Sequence, residues 1–487
     1  MTQKLKFSQF ADFLRPLIVK TNIENDFEVT SVVSNSAKAE KNSLFCAVKG
    51  VSADGNNYVA NAVEKGAGGV ISEVEYENQN SIQVCDDRLA YSEAVRFFYG
   101  EPDRKLNLLG VTGTNGKTTS VYLFFNLLRE LGGNPAFFST VNNFDGREWH
   151  DSDCTTPDAG VLFEFCRRAV SNGADFLPLE CSSHALSQKR LGNAKFKIAI
   201  FTNLTGDHLD YHCSMGNYFA AKKVLFTENL AEDGTAVINI DDEAGKILAE
   251  ELKKNGKKVV TFGFAANADM SMQMIDNRFI LNGKNLETSL FGKHNFYNIT
   301  GVLAALQQLG FELETLFEIL RTKNISVPGR LEKIDLGIHG TAFVDYAHTD
   351  DALKNVLSIL KNETERRNSR LICVFGCGGN RDKTKRPRMG RVVSELADEF
   401  IVTSDNPRDE EPQDIINDIL GGCLKKPSAV EVDREKAIFL AVGKATANDI
   451  ILVAGKGHEK EQVIKNVRYY FDDCEVLRKF AAKKDEK

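Results

Sequence analysis

The stretch LLGVTGTNGKTTS, Leu108 to Ser120, constrains the chain more than any other. An apolar run enters a turn with glycines at Gly110, Gly113 and Gly116, and Lys117, Thr118 and Thr119 follow. Beyond them Val121, Phe124, Phe125, Leu128 and Leu131 recur at helical spacing until Gly132 and Gly133 stop the pattern. Strand, glycine turn and helix in that order make a phosphate cradle. Backbone N–H groups of residues 113–118 are expected to face phosphate oxygens, and the helix dipole favours their charge. Lys117 would reach the β/γ-phosphates, and the Thr118 hydroxyl would ligate Mg²⁺. The common spacing of such loops needs glycine at 111, where Val111 stands. The loop implies a nucleoside triphosphate. It leaves open whether the energy drives movement, switching or synthesis.

Short runs rich in Val, Ile and Phe alternate with helical patterns along the 487 residues, which predicts an α/β protein with parallel sheets and crossover helices. That length exceeds one core. Three domains are expected: a small N-terminal α/β domain over 1–105, a central P-loop-type, mostly parallel sheet with helices over 106–328, and a Rossmann-like C-terminal α/β domain over 329–487. The clearest strands read at 43–50, 106–112, 175–180, 197–204, 235–240, 341–348, 370–379, 399–407 and 449–459. From 341 onward each run ends in polar or glycine residues, and ligands of open α/β sheets bind at the carboxyl ends of strands. A net charge of -7 gives no basic footprint for nucleic acid, and no run of 18 apolar residues would span a membrane. The ten cysteines are scattered without a C-x-x-C pair, and Cys373 and Cys377 have no matching pair for a zinc site. Reduced, buried thiols in a cytoplasmic protein are expected, and the start MTQKLKFSQFADFL lacks a signal-type apolar run.

Three further segments narrow the chemistry. Glu180 ends one predicted strand, with His184 four residues on; Asp207, His208 and Asp210 follow the next; Lys222 lies on a helical stretch. A carboxylate and a histidine at adjacent strand ends can hold a divalent metal beside a triphosphate. Taken singly, each is equally a capped loop.

These segments resemble the motifs of the Mur ligase family, which uses ATP to join amino acids to the nucleotide-linked precursor of peptidoglycan. GTNGKTT (113–119), TTP (155–157), CSSHAL (181–186), NLTGDHLDYH (203–212), GKHNFYN (292–298), VPGRLE (327–332), DYAHT (345–349), GCGGNRDKTKRP (376–387), DNPR (405–408) and GKGHE (455–459) look like its motifs, in its order. The resemblance explains the displaced glycine as a family variant, and it is strongest to members that extend UDP-N-acetylmuramoyl-L-alanyl-D-glutamate. It implies that the D-glutamate γ-carboxylate attacks ATP to give an acyl phosphate, which the incoming amine then captures. It assigns catalytic roles to Lys117, Lys222, His208 and Glu180, with Lys222 carbamylated by CO₂. ATP would be held by Gly113, Thr114, Asn115, Gly116, Lys117, Thr118, Thr119, Asn295, Asn298, Arg330, Asp345 and His348. Mg²⁺ would be held by Thr118, Glu180, His208 and Lys222. Ser36 matches a contact to the uridine nucleotide, and Thr155, Thr156, Ser182, Gln188 and Arg190 match residues around the muramoyl peptide. Cys154, Gly206, Asp350, Asn380 and the run SNS (34–36) depart from the usual pattern. Small-molecule substrates, a monomer, and neither nucleic acid nor membrane are the expected partners.

The segment SDNPRDEEP carries the selectivity. The DNPR form resembles enzymes that add meso-diaminopimelate, which is lysine with a carboxylate at its far end. Arg408 can grip that carboxylate in a bidentate fork, and lysine would leave it unpaired and repelled. Losing a buried charge pair costs about 2–5 kcal/mol, enough for several hundredfold discrimination. Arg381, Asp405, Asn406, Pro407, Gly455 and Glu459 match the remaining contacts, with Glu459 facing the ammonium. The alternatives are a relative that adds lysine, D-alanyl-D-alanine or folate-linked glutamate, and a nucleotide-dependent switch. The plain reading of Arg408 is a surface ion pair with Asp409, Glu410 or Glu411.

Overall fold

The computed structural model describes residues 4–50, 53–77, 79–152, 154–275, 278–290, 292–323, 325–465 and 467–481. They form two compact units, Met1–Glu287 with Phe296–Thr322, and Thr288–Asn295 with Lys323–Lys487. Among the described residues no helix is long and apolar enough to cross a membrane.

The larger unit is built on an eleven-stranded sheet. Its middle runs Phe137–Phe138, Phe176–Glu180, Asn107–Thr112, Phe196–Phe201, Leu230–Asn239, Lys258–Gly263 and Met270–Ile275, all parallel, with antiparallel strands outside them. The apolar runs at 107–112 and 196–201 are nearly continuous because helices cover both faces. A separate five-stranded sheet lies between Ile18 and Val84; four of its strands are parallel, and Ile18–Asn22 pairs antiparallel at one edge. Phe10, Ile82 and Val95 from this region share one hydrophobic cluster with Phe163, Phe165, Leu177 and Phe196 of the large sheet and its helices. That common core makes the first 287 residues one compact unit.

The smaller unit carries a six-stranded sheet in the order Glu332–Asp335, Thr341–Asp345, Ile450–Ala454, Leu371–Phe375, Glu399–Thr403 and Ala429–Glu431, parallel except for the first strand. Side chains alternate across it. Leu371, Cys373 and Phe375 pack with helices Asp350–Arg367, Lys385–Leu396 and Pro412–Leu420. Ile372 and Val374 pack on the opposite face with Arg434–Lys444 and Asp473–Ala481. Cys373 and Cys377 are buried thiols within this core, whereas Cys85, Cys154 and Cys213 are exposed, so the expectation of buried cysteines holds only in part.

Candidate active site

Register sets the site in the larger unit. Val111 pairs with both Glu180 and Ile200, and Thr112 pairs with Phe201. The glycine loop, Glu180 and the segment after Phe201 therefore leave the sheet side by side.

The loop is laced to that segment. Thr202 Oγ1 and Asn203 Nδ2 donate to Asn115 O (2.6 and 3.1 Å), and Thr205 N–H donates to Thr114 Oγ1 (3.0 Å). Thr114 N–H goes to Asn203 O (2.9 Å) and Asn115 N–H to Asn203 Oδ1 (2.9 Å). This corrects the expected donor run of 113–118, since two of its N–H groups brace the loop. The donors suited to phosphate are those of the first turn of helix Lys117–Glu130, which like every helix leaves them without intrahelical acceptors. Gly113 (φ 146) and Gly116 (φ 92) are required here, since an added Cβ would lie 1.9 Å from Thr202 Oγ1 and 2.2 Å from Asn298 Oδ1. Val111 is a fully buried residue of strand Asn107–Thr112, so the strand runs on through the position where the common loop has its first glycine.

Two lysines share this loop. Lys117 Nζ donates to Gly113 O (3.0 Å) and Thr114 O (2.8 Å). Lys222, buried on helix Met215–Thr227, donates to the same Gly113 O (2.8 Å), with its Nζ 4.3 Å from the Tyr218 ring centroid. Burial, and then the neighbouring Lys117 cation, pulls the Lys222 pKa well below the usual lysine range. A neutral amine is the form that adds CO₂.

Glu180 is buried, and its carboxylate accepts from Thr140 N–H (2.7 Å) and Thr140 Oγ1 (3.2 Å). His208 sits at φ 52 before a short helix, 3.4 Å from Asp207, with its ring 4.8 Å from that of His184. Among the described residues no three His, Cys, Asp or Glu side chains converge on a metal position. Donor chemistry still fits a hard divalent ion: Glu180 and Thr118 offer oxygen, His208 nitrogen, and a carbamate on Lys222 would supply the missing anionic oxygen. Asn298 is buried against Gly116 in this unit.

The residues expected around the muramoyl peptide form one network. Thr156 Oγ1 donates to Glu180 O (2.6 Å) and accepts from Ser182 N–H (2.9 Å). Arg190 donates to Thr156 O (2.8 Å) and twice to Gln188 Oε1 (3.1 and 2.8 Å). Thr155 Oγ1 and Thr140 Oγ1 are hydrogen-bonded at 3.0 Å. Gln188 and Arg190 line a cleft with Ser34, Arg88, Tyr91, Ser92 and Asp158. Ser36, expected at the uridine nucleotide, is buried in the turn Ser36–Lys38, and Ser34 lines the cleft. Arg88, Tyr91 and Asp158 had no motif to mark them.

In the smaller unit, register again aligns strand ends, with Asp345 opposite Ala454 and Phe375 opposite Val402. Asp345 is buried and accepts from Leu331 and Ala347 N–H (2.7 and 2.8 Å); burial raises its pKa, against the pull of Arg330. The Arg330 guanidinium lies 4.8 Å from the Tyr346 ring centroid, and His348 Nδ1 contacts Tyr346 O (2.9 Å). Asn295 is buried in this unit.

Asp405, Asn406 and Pro407 end in Arg408, whose backbone is left-handed (φ 52). Arg408 NH1 donates to Gly379 O at 2.8 Å, and its N–H donates to Val463 O at 3.0 Å. Among the described residues it pairs with none of Asp409, Glu410 and Glu411, so the plain surface-pair reading does not hold. Those acids bind elsewhere: Asp409 to Asn380, Glu410 to Arg386 and Lys383, Glu411 to Lys465. Glu459 Oε2 accepts from Asn406 Nδ2 (2.8 Å) and from the fully buried Lys456 Nζ (3.3 Å). Lys456, a charge facing the expected ammonium partner, escaped the sequence reading. Gly455 packs on Asp405, and Arg381 is exposed on its loop.

Residues 111–306 match the Mur ligase middle domain, and residues 329–457 match the Mur ligase glutamate ligase domain. The chain is 41% identical over 466 residues to the UDP-N-acetylmuramoyl-L-alanyl-D-glutamate--2,6-diaminopimelate ligase of Parabacteroides distasonis, covering 93% of this chain and 95% of that one. It is 36% identical over 478 residues to the protein of that name from Bacillus cereus, covering 95% of each. A solved structure of a ligase with the same name is 32% identical, covers 100% of both chains and gives a TM-score of 0.71. The UDP-N-acetylmuramoylalanyl-D-glutamyl-2,6-diaminopimelate--D-alanyl-D-alanyl ligase from Acinetobacter baumannii, 16% identical with a TM-score of 0.57, shares the fold. With family domains matched across both units, and relatives alike over nearly the whole length, the chain belongs to the Mur ligase family.

Proposed function

We propose that the chain is an ATP-dependent ligase that adds meso-2,6-diaminopimelate to UDP-N-acetylmuramoyl-L-alanyl-D-glutamate, acting in the cytoplasm as a monomer in peptidoglycan precursor synthesis. The central step brings two anions together, a carboxylate and a triphosphate. Lys117 and the first-turn N–H groups of its helix bind the phosphates and offset that repulsion, and they stabilise the charge that moves onto the leaving ADP. Mg²⁺, when bound, would add a further positive charge; Glu180, His208, Thr118 and a carbamate on Lys222 are the residues that would hold it. Arg190 and the hydroxyls of Thr155, Thr156 and Ser182 orient the muramoyl dipeptide. Phosphorylation gives the γ-carboxyl a leaving group, the neutral amine attacks it, and phosphate departs from the tetrahedral intermediate.

One observation carries the choice of amino acid: Arg408 rests on a neutral carbonyl, Gly379 O, and takes none of the three acids beside it as a partner. A carboxylate on the incoming diamino acid is the counter-charge this arrangement suits. The test is an amino-acid panel with ATP, Mg²⁺ and UDP-muramoyl dipeptide. Wild type should favour meso-diaminopimelate over L-lysine by about a hundredfold or more, and Arg408→Lys should erase most of that. A wild type that prefers lysine would overturn the reading, and ATP turnover that no dipeptide stimulates would point to a switch instead.

A further inference from the structure

Arg386 belongs to none of the substrate contacts assigned above, yet it is a fully buried arginine on helix Lys385–Leu396. It forks onto Glu410, with NH1 to Oε2 at 3.0 Å and NH2 to Oε1 at 2.8 Å, and NH1 also donates to Asp418 at 2.8 Å. Glu410 lies two residues beyond Arg408. Its Oε1 also accepts the backbone N–H of Asn380 at 2.6 Å, and Asn380 Nδ2 donates to Asp409 at 2.6 Å. Asn380 and Arg408 both hold left-handed backbone, φ 52 each, which persists only where surroundings over-determine it.

Two loops thus meet on one carboxylate. One, 378–380, provides Gly379 O, the acceptor for Arg408 NH1. The other, 407–410, carries the Arg408 backbone. The hydrogen bond from Arg386 leads the pull that brings the Glu410 pKa down to about 2, against an ordinary 4.5. A bidentate arginine fork fixes a carboxylate in orientation as well as distance, which a lysine does not.

From this geometry we infer that Arg386 and Glu410 are positioning residues for diamino-acid selectivity, setting the Arg408 guanidinium through both loops without touching the amino acid. The inference rests on the Arg408 reading proposed above. Binding groups must be held to a fraction of an ångström, and misplacement by about 1 Å costs up to about a hundredfold.

The experiment compares wild type with Glu410→Gln, Arg386→Lys and, as a control, Asp418→Asn, which removes the Arg386 contact that reaches neither loop. Each is measured for KM and kcat with meso-diaminopimelate, KM for ATP and for the dipeptide, preference over L-lysine, and Tm. Glu410→Gln and Arg386→Lys should raise the KM for meso-diaminopimelate about tenfold and lower the preference by a similar factor. Their kcat and the other two KM values should stay within about twofold, and Asp418→Asn should keep the wild-type preference. Folded variants with unchanged preference would overturn the inference, as would KM values for all three substrates rising together with Tm falling. A wild type without preference for meso-diaminopimelate would sink the Arg408 reading itself; wild-type preference that survives in the variants sinks only the positioning role.

Discussion

The loop at 113–119 and the loop at 405–410 each hold a cation, by different means. In the first, Lys117 and Lys222 converge on one backbone carbonyl, and the bracing is neutral: Thr202, Asn203 and Thr205 hydrogen-bonded to the loop. In the second, Arg408 also rests on a carbonyl, but the bracing is ionic, through Arg386–Glu410–Asp418 and Lys456–Glu459. The difference follows the ligands proposed for them. A triphosphate carries only negative charge, and the Lys117 cation with the first-turn N–H groups suits it, beside a Lys222 whose charge burial disfavours. A diamino dicarboxylic acid carries both signs, so its site must set both apart at fixed distances, which rigid opposite charges do.

Lys117→Met makes the largest break in this comparison. It removes a cation from the phosphate loop and leaves the ionic loop intact, so kcat should fall roughly a thousandfold, the upper end for losing one charge-stabilising donor. Binding of meso-diaminopimelate, measured by calorimetry without ATP, should stay within about twofold. A parallel loss of diamino-acid binding would show that the two loops do not act separately.

How much of this was readable depends on how far apart the interacting residues lie in sequence. Strand, glycine turn and helix at 107–130 are local and follow a periodic pattern, so their reading stands to within a residue. The strands ending at Glu180, Thr403 and Ala454 were readable for the same reason, although the last two stop four and five residues short of the expected runs 399–407 and 449–459. The ionic scaffold was not. Arg386 and Glu410 are 24 residues apart, and the fully buried pair Arg434–Asp473 is 39 apart, bonded at 2.8 Å through both carboxylate oxygens. No periodicity links charges at such separations, and only the fold brings them together. Asn203 was hidden differently: a backbone acceptor and a side-chain amide took N–H groups that the pattern assigned to phosphate. Ser34, which lines the cleft, lies in the run SNS that departs from the family motif, so no motif position marked it.

A pair of glycine variants sharpens the contrast at smaller scale. Gly113→Ala would place a Cβ 1.9 Å from Thr202 Oγ1, a short β-branched side chain tied to Asn115 O, and 3.0 Å from the Asn203 backbone N, at φ 146. It should cost about 1–3 kcal/mol in urea unfolding and weaken ATP binding. Gly378→Ala makes one close contact, with Arg408 NH1 at 2.9 Å, the far end of a flexible side chain; its next neighbours lie at 3.9 Å. It should fold with stability within about 0.5 kcal/mol of wild type and act chiefly on the KM for the diamino acid. Equal destabilisation by both variants would mean the loops are braced alike.

The smallest expected effect is the dependence of stability on pH, and here the two regions should part in direction of approach. Glu410 is held at about 2, first by the Arg386 hydrogen bond and then by Asn380 N–H, against an ordinary 4.5. Its folded pKa lies below its unfolded one, so the unfolded chain takes the proton first on acidification. Its contribution is full above about 4.5 and is lost as pH falls through about 2. Partial exposure limits it to about 1 kcal/mol or less. Lys222 has the opposite origin: burial, then Lys117, lowers an amine from 10.5, so the unfolded chain again binds more protons, in a window that ends at 10.5. Stability should therefore rise with pH up to about 10.5 on its account. Urea midpoints read across pH 3–9 in CO₂-free buffer separate the two. Glu410→Gln should flatten only the acid limb and Lys222→Met only the alkaline rise, because one region stores its electrostatics in a satisfied charge pair and the other in a suppressed charge. An acid limb unchanged in Glu410→Gln would remove the ionic half of that contrast.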